Sequence, residues 1–66
     1  MKNRIEALRN QKGIRQDDLG KMLGVSRQTI SSLENGRYNP SIMLAYKIAK
    51  LFEMSIEEVF IFEEEE

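Results

Sequence analysis

Three glycines set the scale of any fold this chain can adopt. Gly13, Gly24 and Gly36 each follow a run whose apolar residues recur at helical spacing. Glycine enters left-handed backbone at little cost, so it closes a helix. The first 36 residues therefore divide into three short helices. The first is expected from about Asn3 to Lys12, with Ile5, Ala7 and Leu8 on its apolar face and Ile14 as a plug behind it. The second runs from about Gln16 to Leu23, with Leu19, Met22 and Leu23 inward. Asp17 and Asp18 in its first turn suit the positive end of the helix dipole. The third runs from Arg27 to about Asn35, and only Ile30 and Leu33 of it point inward.

Serines punctuate the same pattern from the other side. Ser26 and Ser41 stand where an N-cap hydroxyl accepts from the first turn of the third and fourth helices. The fourth helix spans about Ile42 to Phe52 and offers Leu44, Ala45, Ile48, Ala49 and Phe52 to a core. Ser55-Ile56-Glu57-Glu58 has the form of a capping box and opens a short fifth helix ending near Phe60. Phe60-Ile61-Phe62 then runs into four glutamates, which reads as an extended segment and not as helix. A short strand there would pair with residues 1–3 or with a second subunit. The expected organisation is one all-α domain over residues 1–62, a compact five-helix bundle, and an acidic, disordered tail over residues 63–66.

A chain of 66 residues with no cysteine and no histidine lacks disulfides, thiolate metal sites, the commonest zinc ligand and the usual general base. No metal, cofactor, small-molecule substrate or catalytic set is expected, and an enzyme is not the reading. No apolar run is long enough to span a bilayer, and the amino-terminal segment lacks a signal-peptide core. A cytoplasmic protein with no membrane association is expected. The net charge of −1 conceals a polarity. All ten Lys and Arg lie in residues 1–50, against four acidic residues; residues 51–66 carry seven glutamates and no base. Such an asymmetry fits a nucleic-acid binder with an acidic tail, and equally a solvated surface with a solubilising tail.

The segment Gln16 to Gly36 decides between them. Two short helices meet at the tight turn Gly24-Val25-Ser26. The first buries an apolar face and braces the second, whose outer face is Arg27, Gln28, Ser31 and Ser32. A DNA major groove requires such a face: short donors and acceptors without apolar bulk. The run Val25-Ser26-Arg27-Gln28-Thr29-Ile30-Ser31 with Glu34-Asn35-Gly36, and the later Asn39-Pro40-Ser41, resembles the helix-turn-helix of the lambda-repressor/Cro-like (XRE) regulators. The resemblance covers about residues 3–60 and is nearest to the very short bacterial and phage repressors.

The resemblance implies roles by position. Arg27, Gln28 and Ser32 match positions that meet base edges, with Ser31 a weaker candidate on the same face. Gln16 matches a phosphate-bonding position at the start of the bracing helix, and Asn35, Arg37 and Asn39 match positions beside the flanking phosphates. Arg15, Ser26, Thr29, Tyr38 and Ser41 join the phosphate-facing set. Tyr38 either stacks on the sugar-phosphate backbone or covers the core. Arg9 and Glu34 match a partly buried salt bridge between the first and third helices. Independently of the family, arginine pairs bidentately with guanine and glutamine with adenine.

Three residues depart from the family pattern. Arg15 stands at a usual Ser or Thr cap, Gly20 at a usual alanine, and Glu53 where glycine often follows the fourth helix. Glu53 would have to enter left-handed backbone under strain. Phe60, Ile61 and Phe62, with Ile56 and Met43, are assigned to a homodimer interface, because so small a core has little room for three large residues at a terminus. The expected function is sequence-specific binding of double-stranded DNA as a homodimer on a palindromic operator, as a transcriptional repressor. The alternative is an antitoxin-type interaction module that also binds DNA.

Overall fold

The computed structural model describes residues 1–62; the glutamates at 63–66, read above as a tail, lie outside the described residues. Five helices follow in order: α1 Ile5–Gln11, α2 Gln16–Leu23, α3 Arg27–Glu34, α4 Ile42–Leu51 and α5 Ile56–Val59. The architecture is all-α, and among the described residues the only β pairing is an isolated antiparallel bridge between Asn3 and Phe60.

The first four helices end in one closing motif. After α2, Gly24 takes φ 77°. Its N–H donates to the Lys21 carbonyl, and the Val25 N–H reaches back to Gly20 at 2.9 Å. This double closure satisfies carbonyls that have no partner further along the helix. Gly13 and Gly36 close α1 and α3 in the same way. At the end of α4 the left-handed residue is Glu53, at φ 58°, the strained position anticipated from the sequence. Serine hydroxyls open the other ends: Ser26 accepts from Thr29, Ser41 from Leu44 and Ser55 from Glu58. Glu58 returns a 2.7 Å bond from the Ser55 N–H, completing the capping box.

One core joins all five helices. Ile5, Leu19, Ile30, Leu33, Ile48 and Val59 are fully buried at its centre. Leu8, Leu23, Ala45, Ala49 and Phe52 complete its wall. Two residues expected to face inward do not. Ala7 is exposed, and the third buried position of α1 is Arg9. Met22 is 56% exposed, because the buried stripe of α2 runs through Leu19 and Leu23 and leaves Met22 on its flank.

The ends of the chain also correct the sequence reading. α1 starts at Ile5, not Asn3, because Asn3 is spent on other bonds. Its Oδ1 accepts from the Ile5 N–H and its Nδ2 donates to the Leu33 carbonyl at 2.7 Å. Backbone bonds from Arg4 N to Val59 O and from Ile61 N to Lys2 O hold the two terminal segments together. This pairing seats Phe60 in the core at 1% exposure. Phe60 therefore belongs to the monomer and not to a dimer interface. Of the five interface candidates, Ile56 is half-buried against the core, while Met43, Ile61 and Phe62 remain exposed.

Candidate nucleic-acid interface

The turn at Gly24 to Ser26 aims α3 outward, with Ile30 and Leu33 anchoring it in the core. Its first turn is fixed at the cap. Ser26 Oγ accepts from the Thr29 N–H at 3.0 Å and lies 3.0 Å from Thr29 Oγ1. The Thr29 hydroxyl is thus engaged with the cap, which makes its first role structural. Arg27 and Gln28 stand exposed beside it, and Ser31 and Ser32 are half-buried one turn later. Ser26, Gln28, Thr29, Ser32 and Tyr38 line a shallow polar depression of about 290 Å³. Tyr38 is 45% exposed on its rim.

The loop after α3 is folded back onto it. The Ser32 carbonyl accepts from the N–H groups of Arg37 at 3.0 Å and Tyr38 at 3.2 Å. The Asn35 side chain accepts a second bond from Arg37 N at 3.0 Å. Arg37 and Asn39 are held exposed at this edge, followed by Ser41 at the N-cap of α4. Asn35 therefore orders the loop through its carbonyl oxygen.

A second cleft, of about 480 Å³, opens between the N-terminal ends of α2 and α3. Arg9, Arg15, Gln16, Asp17 and Arg27 line it. Arg15 gives α2 no side-chain cap; its guanidinium instead lies 3.6 Å from Asp17. Both groups are well exposed, so this pair contributes little to stability. Behind them Arg9 Nε donates to Glu34 Oε2 at 2.6 Å and its Nη2 to Oε1 at 3.2 Å. The two side chains are only 10% and 6% exposed. Hydrogen bonding to Glu34 raises the Arg9 pKa above its ordinary value, against the opposing effect of burial. Arg9 Nη1 closes the α1–α2 loop by donating to the Ile14 carbonyl at 3.0 Å.

Gln16 joins this network. Its Nε2 donates to Glu34 Oε1 at 3.0 Å. No sequence signal announced that bond, nor the one from Asn3 to Leu33, since each joins residues far apart in the chain. Every base-edge and phosphate candidate named from the sequence falls on α3 or its N-cap, on the loop behind it, or at the N-cap and first turn of α2 and α4. Among the described residues there is no cluster of acidic, histidine or cysteine side chains able to hold a metal.

A family model described as helix-turn-helix matches residues 5–59. The chain belongs to the XRE-type helix-turn-helix family. Members of this family are DNA-binding transcription regulators, not a class of enzyme. An HTH-type transcriptional regulator of Methanocaldococcus jannaschii is 52% identical over 66 residues, the whole of both chains. The restriction-modification controller protein of Aeromonas hydrophila is 29% identical in structure-based alignment, with a TM-score of 0.73 over 83% of this chain and 80% of that one. A transcriptional regulator from Listeria innocua shares the fold at 20% identity, with a TM-score of 0.82 over 98% of this chain and 64% of that one. In this XRE-type protein no helix of the described residues is long and apolar enough to cross a membrane.

Proposed function

We propose that this regulator binds duplex DNA sequence-specifically as a homodimer, on a palindromic operator in the cytoplasm, and acts as a repressor. One observation carries the DNA reading. The exposed turn of α3 presents Arg27 in a cleft shared with Arg15 and Gln16, and Gln28 in a polar depression shared with Ser32 and Tyr38. Arg37 and Asn39 stand exposed on the loop that folds back onto α3, and Ser41 caps α4. Base-edge chemistry on α3 thereby lies beside groups suited to the phosphates of a major groove. Arg27 and Gln28 read bases, with Ser32 and Ser31 permitting close approach. Ser26 and Thr29 act chiefly by holding the first turn rigid.

The dimer reading rests on apolar side chains exposed on α4 and the carboxy-terminal segment. Met43, Ile61 and Phe62 are exposed, as are Ile42 and Tyr46 on α4. A groove of about 720 Å³ between α4 and α5 is lined in part by Tyr46, Met54, Ile56 and Phe62. Two copies related by a two-fold axis would place their α3 helices about one helical turn apart, ~34 Å. Bound beside a promoter, such a dimer represses by occupying the site that polymerase needs.

Selection from a random duplex pool tests this reading. Enrichment of two inverted half-sites about one turn apart is expected, and an unenriched pool would refute it. Gln28→Ala should weaken binding to the selected site by ~1–3 kcal/mol while sparing random DNA. Equal loss on both would remove Gln28 from base reading.

A further inference from the structure

We infer that Glu34 is a positioning residue for DNA binding: it holds the Gln16 amide in the orientation that presents a single N–H to one backbone phosphate. The inference rests on the proposed DNA-binding reading and names a device within it.

Glu34 is the last residue of α3, and Gln16 is the first of α2. The Glu34 carboxylate accepts three directed bonds: Arg9 Nε at 2.6 Å, Arg9 Nη2 at 3.2 Å and Gln16 Nε2 at 3.0 Å. With its side chain 6% exposed and both oxygens committed, it cannot turn without breaking all three. Arg9 is itself tied to the Ile14 carbonyl. The carboxylate is therefore fixed from two sides before Gln16 arrives.

That fixes the amide as well. The flipped amide would set its own oxygen 3.0 Å from Glu34 Oε1, two acceptors face to face. The chemistry therefore selects Nε2 toward Glu34. An amide nitrogen carries two hydrogens. One is spent on Glu34, and the other remains for an acceptor in the cleft that Arg15, Gln16 and Arg27 line. A glutamine without this partner would present oxygen or nitrogen there alike, and only the nitrogen can bond a phosphate. The same bond ties the phosphate-facing start of α2 to the far end of the reading helix. It thereby sets the phosphate register against the base register.

The test uses the selected operator carrying one neutral methylphosphonate at a time. In the wild type each contacted phosphate should show a penalty, roughly three- to tenfold for one hydrogen bond. The position whose penalty disappears in Gln16→Ala is the Gln16 phosphate. In Glu34→Gln the one amide oxygen serves the shorter Arg9 Nε bond and the NH2 faces Gln16, so the variant should erase the penalty at that same position while keeping discrimination at the base pairs read by Gln28. Because Glu34→Gln strands Arg9 and can unfold the chain, the paired variant Arg9→Met with Glu34→Met serves as the second arm. Apolar replacement of a buried ion pair commonly preserves folding. In that folded variant, checked by thermal melting, the penalty at the Gln16 phosphate should again be lost. A penalty that persists there would overturn the inference while leaving DNA binding intact. If Gln16→Ala erases no penalty at any position, Gln16 is not a phosphate contact and the inference falls with it. Loss of binding to every operator would instead be a failure of the DNA-binding reading itself.

Discussion

At Gly20 a β-carbon would lie 2.7 Å from the Val25 carbonyl oxygen and 3.3 Å from the Ser26 carbonyl carbon. Both neighbours are backbone, in the turn that launches α3. Helix propensity alone favours alanine here by about 1 kcal/mol. Packing should reverse the sign. Gly20→Ala must push the turn away from α2, and overpacking of this kind costs ~1–3 kcal/mol. A urea midpoint lower than wild type is the expected result; a higher one would mean that propensity had won. Glu53 is the opposite case. It sits exposed at φ 58°, where an L side chain is strained and glycine is not. Glu53→Gly should stabilise by roughly 1 kcal/mol, allowing for glycine's greater unfolded-state entropy. For a domain of this size that is ~4–8 °C in Tm. Both residues were visible in the sequence as departures from the family pattern. Only for Glu53 did the pattern also give the reason, because the clash at Gly20 depends on how closely the turn approaches α2.

Among the elements, α2 was legible to the residue, since Gly24 closes it and the Gly13 loop isolates its start. The face of α1 was less so. Apolar character was taken for burial, yet the buried positions are Ile5, Leu8 and Arg9, with Ala7 turned outward. Spacing identifies a face, but it does not reveal that an arginine on that face has a buried carboxylate waiting on α3. Only the family resemblance supplied the pairing of Arg9 with Glu34, and nothing supplied its third member, Gln16. Phe60 failed for a related reason. An extended terminal segment looks too frayed to hold a core residue until its backbone bonds to the amino-terminal segment are seen. Those bonds make the segment an element of the monomer fold. Phe60→Ala should therefore cost ~3–5 kcal/mol. A domain of this length has roughly 3–10 kcal/mol in all, so the denaturant midpoint should fall by about a third or more. A well-folded Phe60→Ala protein with altered sedimentation would return Phe60 to the interface.

The proposed dimer would have to pair two copies of α3 using what the core leaves exposed. The described residues expose 4602 Å², and a stable dimer of ordinary size hides about 800 Å² per partner. That is about a sixth of the surface, too much for any one side chain. Phe62, at 58% exposed, adjoins the groove between α4 and α5, with Ile61 beside it and Tyr46 across it. The chain's charge reinforces this choice of side. Glu53, Glu57 and Glu58 line this groove against the one base Lys50, whereas Arg9, Arg15 and Arg27 line the cleft beside α3, so DNA is attracted less to the α4–α5 side. Phe62→Glu puts a charge where an apolar anchor is required and, unlike any change at Phe60, leaves the core intact. A central anchor is worth about 2 kcal/mol or more, so dimer dissociation should rise roughly 30-fold. Sedimentation at micromolar concentration should show a shift toward monomer, while circular dichroism keeps the helical signal. Binding to a full operator should weaken and become steeper in protein concentration, while binding to an isolated half-site stays unchanged. That half-site control separates loss of pairing from loss of reading. If Phe62→Glu remains dimeric with full operator affinity, the pairing surface lies instead along the exposed start of α4, at Ile42 and Met43.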